Sequence, residues 1–333
     1  MLSHLFRRKQ VPAPLPPLPD ADRLKIGLAG VGVMGRHHAR LLSQIREAKL
    51  TGIADLNRGR AEELAAQYVT RGFSSADSFP PETQAVVLAV PTPAHYETAK
   101  ALLNRGLHVF VEKPLTEKVE QAEELIALAQ EKGLVLQVGH IERFNPAVVE
   151  MAKLAKDPVF IQSDRLGPFD SRVAHVGVVL DLMIHDIDIV LALVKDKVVK
   201  LDAVGGKIFS NHEDIAKVTL HFSRGCRADL TASRASLKKV RKIRVFQKDG
   251  YLSLDYADKS LQVVRKKEGP FKSILDLSVS HPKIEMKDAL ETELRHFIQC
   301  VREGKTPLVS GQHGRDALEL ALEIRRAMTV HSL

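Results

Sequence analysis

The stretch Leu24-Lys-Ile-Gly-Leu-Ala-Gly30-Val-Gly32-Val-Met-Gly35-Arg-His-His-Ala-Arg-Leu-Leu42 decides how the chain is read. The run "LKIGLA" has the length and apolar content of a buried strand, and a helical pattern follows the last glycine at once. A lone G-x-G-x-x-G spacing is a weak signal, but here it has a strand before it and a helix after it. Gly30 permits the tight turn, Gly32 lets backbone approach a pyrophosphate, and Gly35 lets the helix pack close to the strand. The helix N-terminus, with Val33 and Met34, supplies amides and the positive end of a dipole. Twenty residues past Gly35, Asp55 closes "GIADLN". A carboxylate there accepts hydrogen bonds from ribose hydroxyls and repels a 2′-phosphate, which favours NAD. Arg58 and Arg60 lie just beyond and could accommodate a phosphate, so NADP is disfavoured rather than excluded.

Outward from this turn, apolar runs alternate with amphipathic segments as far as Gly139: "LTGIAD", "AVVLAV", "HVFVEK" and "LVLQVG" read as further strands. Repeated βα units imply a parallel sheet covered by helices. After Asn145 the texture changes. A short helix over about 146–156 and a strand over 159–165 lead to a helix around 181–190. Period-2 segments follow, from "KLDAVGGKIF" to "SLQVVR", and two terminal helices over about 287–302 and 313–329. The expected fold is α/β. An N-terminal Rossmann dinucleotide-binding domain (24–144) precedes a C-terminal α+β domain (145–333) with a large, mainly antiparallel, open-faced sheet. Residues 1–23 form a proline-rich, flexible lead-in.

Composition narrows the function classes. The chain has 333 residues, 44% hydrophobic and 27% charged, which is ordinary for a globular protein with two cores. No apolar run reaches membrane-spanning length and no secretory h-region opens the chain. Cys226 and Cys300 offer neither a disulfide framework nor zinc spacing. A cytoplasmic address is expected. The net charge of +8 is concentrated in "LKKVRKIRVFQKDG" (237–250) and "VVRKKEG" (263–269), where basic and apolar residues alternate. That is the pattern of a sheet's wet face, and the scarcity of interleaved aromatics argues against nucleic acid.

The helix "DLMIHDIDIV" (181–190) carries three carboxylates and a histidine among apolar residues. On a helical wheel Asp181, His185 and Asp188 share a face, while Asp186 points elsewhere. Histidine suits the removal of a hydroxyl proton, because its ordinary pKa lies near operating pH. Asp181, one turn earlier, is placed to orient the imidazole or to hold a substrate hydroxyl. The competing reading is a core histidine satisfied by Asp181. No third ligand cluster accompanies the pair, so no metal is expected.

The glycine turn, "AVPTPAHYE" (89–97), Glu112-Lys113-Pro114 and Asp181-x-x-x-His185 together resemble the Gfo/Idh/MocA family of NAD(P)-dependent oxidoreductases, over nearly the whole chain past the lead-in. The resemblance implies that Pro91, Thr92, His95 and Glu112 lie along the dinucleotide and that Lys113 sits near the nicotinamide and a substrate hydroxyl. It assigns Lys113, Asp181 and His185 to catalysis. Position agrees for Lys113, because ligands of open parallel sheets bind beyond the carboxyl ends of the strands. "VGHIERFNPAV" (138–148) is similar to a sugar-nucleotide branch of the family. That likeness implies oxidation of the C3 hydroxyl of a UDP-N-acetylated amino sugar for later amination, as in lipid A synthesis, with an aminotransferase downstream. Arg143, Asn145, Arg165 and Arg172 are then candidate substrate contacts beside Lys113 and His185, since arginine forks match diphosphate oxygens. The family also suggests a homodimer or homotetramer. Two other readings stand: the same chemistry on an inositol, a free sugar or another nucleotide sugar, and a dinucleotide-binding regulator without chemistry.

Overall fold

The computed structural model describes residues 18–270 and 272–332, so residues 1–17 of the expected lead-in lie outside it. Six strands, Leu24–Ala29 (β1), Ala48–Ala54 (β2), Gly72–Phe73 (β3), Ala85–Leu88 (β4), His108–Glu112 (β5) and Leu136–Gly139 (β6), form the first sheet. All pairings are parallel, in the order β3-β2-β1-β4-β5-β6. Helices Val33–Gln44 (α1), Arg58–Gln67 (α2), His95–Asn104 (α3) and Val119–Glu131 (α4) cover it. Strand order reverses between β1 and β4, and such a switch point opens a crevice at the strands' carboxyl ends. Sequence patterning missed β3, which at two residues is too short to show a period.

Pro146–Leu154 (α5) and Phe160–Leu166 (β7) begin the second unit. Then come a π-helical turn at Val179–Met183, Ile184–Val194 (α6), and strands Val198–Lys207 (β8), Ile215–Phe222 (β9), Arg227–Ser233 (β10), Val240–Gln247 (β11), Gly250–Asp255 (β12), Ser260–Lys266 (β13) and Leu277–Ser280 (β14). Helices Ala289–Glu303 (α7) and Gly311–Ala327 (α8) and strand Thr329–Ser332 (β15) close the chain. The nine-stranded sheet runs β14-β13-β12-β11-β7-β10-β9-β8-β15, and it is antiparallel except where β7 meets β10 and β8 meets β15. Along β9, Ala216, Val218 and Leu220 are buried on the helix side, whereas Lys217, Thr219 and His221 point to the other face, which no helix among the described residues covers. The large, mainly antiparallel, open-faced sheet is as expected.

The boundary at residue 145 is not. Leu290, Leu294, Phe297 and Ile298 of α7 pack into one core with Ile26, Leu28, Leu42 and Phe110 of the first unit. The amide of Val138 donates to the carbonyl of Val309. Residues 289–310 therefore complete the first core, a correction to the 145–333 assignment. Helix α8 joins the two units. Side chains at Gly311 and Gly314 would collide with Leu136 and Val138 of β6, while Leu320 and Ile324 lie in the second core.

Candidate active site

The glycine turn has the geometry its motif requires. Gly30 sits at φ +96°, and a Cβ there would lie 2.4 Å from the Ala89 carbonyl oxygen; one on Gly35 would lie 1.9 Å from that of Gly30. Gly32 differs, since its Cβ would meet nothing within 4 Å. It opens α1 with no side-chain cap, so the first amides of the helix face free space. Asp55 holds this turn from β2. One of its oxygens accepts from the Val31 amide at 2.9 Å and the other from the Asn57 amide at 2.9 Å. From here a cavity of about 1160 Å³ runs past Thr92 and Glu112-Lys113-Pro114 to His175, Gly177 and Leu180 of the second unit. Single small-ligand pockets fall at roughly 300–1,000 Å³, so a dinucleotide-sized occupant fits.

Arg58 lies out in solvent, its Nε donating to Glu62 at 2.8 Å, and it is Arg60 that lines the cavity. His95 is 1% exposed, its ring nitrogens 2.8 Å from the Pro114 carbonyl and 2.9 Å from that of Val90. It ties the end of β4 to the loop after β5 at the wall of the cavity. Burial holds it below the usual histidine range, so the neutral ring donates to one of the two carbonyls. Val33, Met34, Pro91 and Thr92 line the cavity as expected. Glu112 also lines it but is largely buried, with one oxygen 2.7 Å from Nε2 of His38 on α1.

Lys113, reached through a cis Lys113–Pro114 peptide, spans the two units. Its Nζ donates to the Asp181 carbonyl at 2.6 Å and lies 3.4 Å from the Asp181 carboxylate. Residues 179–183, around this carbonyl, form a π turn, not the continuous α-helix the spacing predicts. Such turns loosen the i→i−4 ladder and are frequent at functional sites. Glu213 receives the Val178 and Val179 amides and fixes where the turn starts. The Asp181 carboxylate thus faces Lys113, and no hydrogen bond joins it to His185, contrary to the expected orienting role. Nδ1 of His185 is buried without a partner, and the residue as a whole is half-buried. Burial, then the charge of Lys113, holds this imidazole well below the usual histidine range.

Most of the expected substrate contacts are engaged elsewhere. Arg165 is 3% exposed, with Nε and Nη2 donating to Asp186 at 2.8 and 3.0 Å and Nη1 donating to Glu142 at 3.0 Å. The ring of Tyr256 lies 5.0 Å from its guanidinium carbon. Asp186, set aside on helical phase, is therefore the anchor of a buried ion pair. Arg143 donates to Asp188 at 3.3 Å. Asn145 caps α5, accepting from Ala147 and donating to Glu142. Arg172 lies in solvent, paired with Asp170. Sequence reasoning missed Arg241. On β11 the core-side residues are Ile243 and Val245, and Arg241 continues that parity directly across from Arg165 of β7. It is exposed and makes no side-chain hydrogen bond among the described residues, at the sheet end beside His185. Its parity with Ile243 was the available signal, and the basic run around it hid that signal.

A family model described as "Oxidoreductase family, NAD-binding Rossmann fold" matches residues 24–140, and one described as "GFO/IDH/MocA C-terminal domain" matches residues 161–253. Over 306 residues the chain is 33% identical to the UDP-N-acetylglucosamine 3-dehydrogenase of Acidithiobacillus ferrooxidans, across 92% of this chain and 97% of that protein. The chain belongs to the Gfo/Idh/MocA family. A solved structure of that Acidithiobacillus enzyme matches with a TM-score of 0.86 at 32% identity, over 92% of this chain and 98% of that one. The scyllo-inositol 2-dehydrogenase (NAD(+)) of Bacillus subtilis is 27% identical over 324 residues, 90% of this chain and 92% of that protein. As a Gfo/Idh/MocA oxidoreductase the chain is an NAD-dependent dehydrogenase acting on a CH–OH group. The open space at Gly32, the uncapped α1 and the Asp55 carboxylate fit that cofactor.

Proposed function

We propose that this enzyme oxidises the C3 hydroxyl of UDP-N-acetylglucosamine to the 3-keto sugar, a product ready for amination. The observation carrying this reading is the meeting of Lys113 with Asp181 across the two units, close to the half-buried imidazole of His185. NAD, held at Gly32, the start of α1 and Asp55, would supply the hydride acceptor for the carbinol carbon. Nε2 of His185 takes the hydroxyl proton, and its neutral form is the one held by burial. The Lys113 ammonium stabilises the charge that develops on the substrate oxygen, which lowers the demand on a weak base. Asp181 holds Lys113 in place from the second unit. Arg241, exposed and without a side-chain partner among the described residues, is the guanidinium best placed for the diphosphate.

A second reading keeps the mechanism and takes an inositol. It is favoured by the engagement of Arg143, Arg165 and Arg172 with carboxylates, which leaves few cations for an anionic substrate. The deciding experiment follows NADH absorbance with UDP-N-acetylglucosamine, other UDP-sugars, myo-inositol and scyllo-inositol. We expect the highest kcat/KM with UDP-N-acetylglucosamine, and we expect Arg241→Ala to raise KM for UDP-sugars alone. A clear preference for an inositol overturns the nucleotide-sugar reading. His185→Ala is expected to lower kcat by about 10²–10⁴-fold.

A further inference from the structure

The second unit's wall of the cavity comes from a stretch with little regular structure. Residues 167–178 lead from β7 to the π turn with one short 3-10 turn, Ser171–Val173, and bring His175, Val176 and Gly177 to the cavity. Among the described residues, the hydrogen bonds that reach 168–176 from outside all come from one side chain, Arg234. Its Nη1 donates to the carbonyls of Val173 at 2.8 Å and Val176 at 2.6 Å. Arg234 directly follows β10 and is 2% exposed, with the Phe169 ring 5.6 Å from its guanidinium carbon. Its Nε donates to Oδ1 of Asp214 at 2.7 Å and its Nη2 to the Ser210 hydroxyl at 2.8 Å. Asp214, fully buried just before β9, uses its other oxygen to accept the amides of Ile208, Phe209 and Ser210 at 2.7, 2.7 and 3.0 Å. One guanidinium thus ties together two loops, 168–176 and 208–214. Both reach the cavity, the second through His212.

From this point a run of hydrogen bonds and chain neighbours leads to Lys113. Glu213 precedes Asp214; its carbonyl accepts from the Val178 amide at 3.0 Å and its carboxylate from the Val179 amide at 3.3 Å. The Gly177 carbonyl accepts from the Asp181 amide at 3.1 Å, and the Asp181 carbonyl receives Nζ of Lys113. We propose that Arg234 is a positioning residue for the dehydrogenase reaction. It fixes the cavity wall at 173–177 and, through Asp214 and Glu213, the start of the π turn that sets Asp181 against Lys113. The proposal rests on Lys113 acting at the substrate oxygen.

An arginine suits this place and a lysine does not. The guanidinium carries donors on three nitrogens in one plane, and here all three are used, on a carboxylate, a hydroxyl and two carbonyls. An ammonium is a compact point charge, which keeps the pairing with Asp214 but cannot hold both loops at once. The Val173 carbonyl then loses the partner it has in Arg234, and the stretch loses its one tie to the sheet. A misplacement of reacting groups by about 1 Å costs on the order of 10²-fold in rate, even when its cause lies away from the chemistry.

The test uses the full-length enzyme with NAD and UDP-N-acetylglucosamine, or with an inositol if that proves to be the substrate. Arg234→Lys perturbs one end of the network. Gly177→Ala perturbs the other, because a Cβ there would lie 1.9 Å from a Glu213 carboxylate oxygen, so that carboxylate has to shift. Each variant should lower kcat about 10–10²-fold. NAD affinity should stay, since Gly32 and Asp55 lie in the first unit. Hydrogen exchange should quicken at the amides of 173–181 while β9 and β10 keep their protection. The double variant should be no slower than the slower single one, as members of one network are not additive. A native kcat in Arg234→Lys overturns the proposal, and so does a double variant slowed by the product of the two single effects. Weaker NAD binding with faster exchange throughout both sheets means that Arg234 only holds the fold, and overturns it too. If Arg234→Lys fails to fold, a native kcat in Gly177→Ala still overturns it. If Lys113→Met keeps its kcat, or no substrate turns over, the reading of Lys113 falls and the positioning role falls with it. Loss of activity in Lys113→Met with native kcat in Arg234→Lys removes the positioning role alone.

Discussion

The three glycines of the turn do different work, and substitutions separate them. Gly30→Ala and Gly35→Ala drive a methyl into backbone carbonyl oxygens and should damage folding. Gly32→Val puts its side chain into open space at the mouth of α1, and its φ of −66° suits any L-residue. We expect Gly32→Val to melt like the native protein without NAD and to bind NAD at least tenfold more weakly, about 1.4 kcal/mol. Calorimetric titration with NAD checks it, and an unchanged Kd would show that no pyrophosphate approaches Gly32. The same residue scale shows where sequence reading stops. Gly30, Gly32, Gly35 and Asp55 were legible because a turn is local and its residues are neighbours in the chain. The partners of Arg143 and Arg165 were not legible. The sequence shows that an arginine is present, but Asp186 reaches Arg165 only once α6 lies across β7.

At the scale of elements, α6 and α7 bring acids into apolar surroundings. Glu293 on α7 is fully buried with neither oxygen bonded, and burial, reinforced by Glu112 and Asp188, raises its pKa well above the carboxylate range. The unfolded chain ionises this group near 4.5, while the folded protein keeps it protonated. Between those two values the native state binds more protons, so stability falls as pH rises, by at most about 1.4 kcal/mol per pH unit for one proton. Glu293→Gln removes that term. Its melting temperature should match the native protein near pH 4 and exceed it increasingly toward pH 8. A gap that stays constant with pH would refute the account. The alternation of strands and helices was readable because apolar periodicity is a property of single elements. The π turn at 179–183 was not. Its cause is tertiary: Glu213 holds its first amides and Lys113 takes the Asp181 carbonyl.

For the whole molecule, α7 decides how the units depend on each other. Leu294, Phe297 and Ile298 are buried against the first sheet, with Phe297 edge-on to Phe110 at 5.9 Å. Burying each is worth roughly 1.5–3 kcal/mol, against about 5–15 kcal/mol for a whole domain. A fragment of residues 24–144 should therefore melt far below the full chain and bind a hydrophobic dye. Adding a peptide of residues 286–310 should reverse part of both effects. A fragment that melts like the full chain would show that α7 is dispensable. Sequence order implied that the first unit ends near residue 144, because periodicity cannot tell which core a distant helix joins. The return of α7 also sets the order of events during synthesis. The ribosome delivers the glycine turn and all six strands of its sheet early, yet that sheet stays without its last covering helix until residues 289–310 emerge. The earliest-made core is thus closed only after most of the second unit has been synthesised.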